Sequence, residues 1–65
     1  MIAPTIDDQI RCVKREISQR GHVYPRLVSV GKMKQTDAER EIGTMSAVLA
    51  TLQRVRDEQR PGLFE

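Results

Sequence analysis

The chain has 65 residues, a net charge of +2, 38% hydrophobic and 3% aromatic residues, one His and one Cys. That length fits one small domain with a thin core. A lone His and a lone Cys exclude an ordinary zinc site within one chain, and Cys12 cannot close an internal disulfide.

The order of residues excludes more. No run of about 20 apolar residues is present, so no membrane span is expected. The start Met1-Ile2-Ala3-Pro4 lacks a basic stretch followed by an apolar one, so no secretion signal is expected. With the unpaired Cys12, this points to the cytoplasm. Gly31-Lys32 lacks the upstream Gly and the following Ser or Thr of a phosphate loop. Each carboxylate has an i+3 or i+4 partner or a helix-end position that accounts for it, and no pair falls in an expected cleft. No enzyme, metal or cofactor is therefore expected. A chain this small with one Tyr, one Phe and no Trp is marginal as a monomer. Self-association, or folding against a partner, is the expectation.

In chain order, residues 1–4 read as a frayed end. Thr5-Ile6-Asp7-Asp8 offers an N-cap with acid in the first turn. A first helix is predicted over about 6–20. Its apolar residues Ile6, Ile10, Val13 and Ile17 step by four, three and four along a narrow arc. Asp7–Arg11 and Glu16–Arg20 are stabilising i, i+4 pairs. Cys12 lies off the stripe, with no neighbouring His to activate it.

Gly21 is the predicted left-handed stop of this helix. Tyr24 precedes Pro25 and so is biased towards extended backbone. Pro25 suits a first helical position, giving a turn and short helix over about 25–30 that ends at Gly31. Residues 32–35 form a polar link anchored by Met33.

The second main helix is predicted over about 37–60. Thr36-Asp37-Ala38-Glu39 fits a capping box, and Pro61-Gly62 is a stop signal. Ala38, Ile42, Met45, Leu49 and Leu52 follow the a/d spacing of a packing seam, and Val48 and Val55 widen it. The arc reaches about 140°, more than one short partner helix covers. Arg56 falls at its centre, where a cation needs a counter-charge. Gly43, Ala47 and Ala50 form a rear face that is either solvated or open to close backbone approach. In the tail, residues 61–65, Leu63 and Phe64 either pack back, stay disordered or serve as a peptide hook.

The resulting fold is all-α: one domain over residues 1–65, an antiparallel helical hairpin with a short connecting helical turn. Dimerisation into a four-helix arrangement would cover the wide arc. The hairpin sets Ile6 and Ile10 near Leu52 and Val55, and Ile17 near Ile42 and Met45. It also sets Arg56 near Asp7 or Asp8. The candidate protein-binding surface is Val48, Leu49 and Val55 together with the edge Tyr24, Arg26, Lys32, Met33 and Lys34. Residues 1–34 carry seven basic and three acidic groups, and residues 35–65 carry four and six. The basic first half reads as a solvated helix face, or as a surface that attracts an acidic protein or nucleic acid. A helix-turn-helix reader is disfavoured, because the long helix begins acidic and would repel phosphate.

Cys12-Val13-Lys14-Arg15-Glu16, Val23-Tyr24-Pro25-Arg26, Gly31-Lys32-Met33 and Glu41-Ile42 with Met45 and Ala47-Val48-Leu49 together carry a resemblance. Over residues 10–52 the chain resembles a group of small helical proteins of transposable, Mu-type bacteriophages and prophages of proteobacteria. The resemblance implies a non-enzymatic protein that binds a host or phage protein inside the host cell.

Overall fold

The computed structural model describes residues 2–59. It is an antiparallel hairpin of two 24-residue α-helices, α1 over Ile6–Ser29 and α2 over Gln35–Glu58. The described residues contain no strand. The expected stop at Pro61-Gly62 and the Leu63-Phe64 tail lie outside the described residues.

Helix α1 begins as its sequence reads. Thr5 is extended, and its hydroxyl accepts from the Asp8 amide at 3.0 Å while the Asp8 carboxylate accepts from the Thr5 amide at 3.1 Å. Two amides without intrahelical partners are thus satisfied reciprocally. The Thr5 amide first, then the Thr5 hydroxyl, with a smaller contribution from Arg11, hold the Asp8 carboxyl below its ordinary value.

The expected break at residues 20–25 is absent. Gly21 is helical, Tyr24 is not extended, and Pro25 sits inside α1. Tertiary packing outweighs the local signals here. The row Ile10, Ile17 and Tyr24 has heptad spacing, which brings a helix back to within about 20°. So does the row Ile6, Val13, Arg20 and Leu27. Both rows run through Gly21 without a change of phase, so an unbroken helix keeps Tyr24, Leu27 and Val28 facing α2. Pro25 has no N–H, so the Gly21 carbonyl loses its usual i+4 donor.

The real stop is Gly31, with φ of 77°. The Gly31 amide donates to Val28 O at 3.1 Å and the Lys32 amide to Leu27 O at 2.8 Å. This pair of bonds is a Schellman motif, closed by a glycine in the left-handed region. The turn is so tight that α2 starts at Gln35, ahead of the expected Thr36 box. Lys34 occupies the cap and makes no side-chain cap bond. Gln35 instead donates through Nε2 to Glu39 Oε1 at 3.1 Å.

The helices meet along heptad rows. The central row of α1 (Ile10, Ile17, Tyr24) opposes that of α2 (Ala38, Met45, Leu52). Among the described residues only Ile10 and Ala38 are buried, at 4% and 7% exposure. Ile17, Tyr24, Met45, Leu49 and Leu52 are half-buried. The molecule measures 51 × 30 × 13 Å, the thickness of a single layer of helices.

Three substitutions test this account. A Cβ at Gly21 meets nothing within 4 Å, so Gly21→Ala should raise unfolding stability by about 1 kcal/mol. Exposed Pro25→Ala should raise it by up to ~3 kcal/mol in urea titration, because it restores a helix bond. Thr5→Ala should lower it by about 1 kcal/mol at neutral pH. Asp8 has a depressed folded pKa, so its contribution is complete above the unfolded value near 3.8 and fades as pH falls through the lower folded value. Acid titration of the Thr5→Ala protein should therefore show a shallower loss of stability below that pH.

Candidate docking groove

Ion pairing identifies the two broad faces of the layer. Arg20 Nη1 crosses to Glu41 Oε2 at 3.9 Å, and Arg20 Nε pairs with Glu16 Oε2 at 3.5 Å. Heptad steps from Arg20 and Glu41 place Ile6, Val13 and Leu27, with Val48 and Val55, on this same face. One residue further round, the rows Asp7, Lys14, Gly21, Val28 and Gln35, Ile42, Leu49, Arg56 form the opposite face.

The opposite face carries an apolar concavity. A groove of about 530 Å³ lies between Gly21, Tyr24, Pro25 and Val28 of α1 and Gln35, Ala38, Glu39, Ile42 and Gly43 of α2. Neither Gly21 nor Gly43 has a positive φ, and a Cβ on either would meet nothing within 4 Å. Backbone conformation and internal packing therefore do not explain these glycines. Their missing side chains leave the groove open. Its walls are apolar, its rim carries the bonded Gln35–Glu39 pair, and the Gly21 carbonyl has no i+4 donor because Pro25 lacks an N–H.

The structure separates the eight candidate binding residues. Tyr24 is half-buried and lines the groove. Lys32, Met33 and Lys34 line a neighbouring concavity with Gly31 and Asp37, and Met33 is half-buried as an anchor should be. Arg26 is exposed and lines neither concavity. Val48, 41% exposed, and half-buried Val55 belong to the face marked by Arg20 and Glu41, whereas Leu49 shares the groove face at a different height. Of the rear residues of α2, Gly43 joins the groove, and Ala47 and Ala50 are exposed.

Arg56 sits, as expected, beside Asp7, the two lining one shallow concavity with Ile10, Arg11 and Lys14. Its Nε is buried with no hydrogen-bond partner, and the Asp57 carboxylate lies 3.6 Å away, too far for a bond. Arg11 pairs with Asp8 at 4.0 Å. His22 is occupied by its own helix, with Nδ1 donating to Ser18 O at 2.9 Å. Cys12 is free and exposed. Among the described residues no group of three or more His, Cys, Asp or Glu could hold a metal, and no helix is long and apolar enough to cross a membrane.

A desolvated N–H without a partner costs about 1–3 kcal/mol. Arg56→Met keeps the apolar stem and removes that group, so it should leave the thermal midpoint unchanged or raise it. A fall of several degrees would show that the guanidinium holds the helices together. No protein-family model, no curated protein and no solved structure matches this chain.

Proposed function

We propose that this chain is a non-enzymatic helical hairpin that associates with itself into a four-helix arrangement and binds a protein, modulating it. One observation carries the reading. The described residues bury only Ile10 and Ala38, while the remaining aliphatic side chains of both seams stay half open or exposed. A single layer of helices gains full burial only against another layer. The groove supplies a place for an incoming apolar side chain. Its two glycines weaken the helices and give nothing back inside the chain, which favours a role in contact with another molecule.

The resemblance to Mu-type phage proteins gives the reading its setting. The bound protein belongs to the phage or to its bacterial host, and the encounter takes place in the host cytoplasm. Tyr24 and the Lys32, Met33 and Lys34 turn form the end of the hairpin nearest the groove, and exposed Arg26 adds charge beside it. Aromatic and cationic side chains around an apolar recess are the usual anchors of a protein interface.

Affinity capture from bacterial lysate, followed by mass spectrometry, tests this reading. Capture should be saturable, resistant to nuclease and competed by free protein. The Gly21→Leu variant should fill the groove, keep its helical circular dichroism and lose the captured protein. Recovery of nucleic acid alone, with binding that collapses by orders of magnitude between about 50 and 200 mM salt, would replace the reading with a phosphate-binding one carried by the basic first half.

A further inference from the structure

We propose that a second copy of this chain covers the face marked by the Arg20–Glu41 ion pair, with Val48 and Val55 of each copy seated on Ile6 and Val13 of the other. This deepens the self-association proposed above and rests on it. The groove then stays open on the outside of the dimer.

Composition singles out this face. It carries Ile6, Val13 and Leu27 from α1 and Val48 and Val55 from α2, none of them buried. The equivalent rows of the opposite face carry Val28, Ile42 and Leu49 together with Asp7, Lys14, Gln35 and Arg56, whereas the charges among the rows of this face are the paired Arg20 and Glu41. Two 24-residue helices side by side make a face about 36 Å long and about 20 Å wide, so the ~800 Å² that a stable interface takes from each partner calls for the whole of it.

Register and charge select the arrangement. Within one copy Ile10 lies level with Arg56, and Arg20 lies close to the level of Glu41. A two-fold axis parallel to the helices preserves these levels and lays α1 over the partner's α2. All neighbouring helices then run antiparallel, so their dipoles alternate. At 1.5 Å per residue the partner's Val55 falls between Ile6 and Val13, and the partner's Val48 between Val13 and Arg20, as knobs between ridges. Arg20 meets the partner's Glu41 as well as its own. Stacking through the opposite face would instead bury the charged Asp7, Lys14 and Arg56 and cover the groove.

Sedimentation equilibrium of the full chain, read with circular dichroism, tests the proposal. The unsubstituted protein should be dimeric, and Val48→Glu and Val13→Lys should each weaken the dimer on the order of 100-fold, since each dimer buries two such charges. An equimolar mixture of Val48→Glu with Val13→Lys should recover the dimer and its helicity, because one half of the hybrid interface is native and the other pairs Lys with Glu. This recovery keeps the test decisive if either single variant unfolds. Ser46→Glu, on the opposite face, should stay dimeric. A dimer broken by Ser46→Glu but not by Val48→Glu, or a mixture without recovery, overturns the proposed face. A fully helical monomer at every concentration overturns the self-association itself.

Discussion

Two helices laid side by side form one layer, and one layer cannot close a core. Every notable property of this hairpin follows from that geometry. Its central seam buries Ile10 and Ala38 and leaves the flanking rows half wet. Longer helices would not change this, because each added turn contributes as much open face as closed seam. A second layer would, which is why the self-associating reading ranks above that of an isolated, independently stable hairpin.

The heptad rows were the legible part of the sequence. The seam along Ala38, Met45 and Leu52, the antiparallel pairing, the Thr5 cap and the Gly31 turn all follow from spacing and turn chemistry. Gly21 and Pro25 misled because each is a strong local signal. The phase of Ile10, Ile17 and Tyr24 across them was the better guide, since a real break would have let that phase slip. The Thr36 box failed for a different reason: the Schellman turn at Gly31 brings the chain into helix at Gln35, so a well-formed capping sequence ends up inside the first turn.

The candidate site was legible only in part. Tyr24 and the Lys32–Lys34 turn stood out by residue type. The groove did not, because it consists of what is missing. Gly21 and Gly43 contribute the absence of side chains, and Pro25 contributes the absence of a donor. Absences acquire meaning only when two helices set them opposite each other, and that register came from the structure. A pair of mid-helix glycines with no left-handed role was the available clue.

The Gly31 turn has a practical corollary. It closes the hairpin at one end, so the two ends of the described chain, Ile2 and Gln59, lie together at the other. Gly21 lies fifteen residues along α1 from Ile6, which is about 22 Å of helix. A fluorophore or a surface tether attached at Ile2 or Gln59 would therefore hang from the far end of the rod and leave the recess around Gly21 and Gly43 unobstructed.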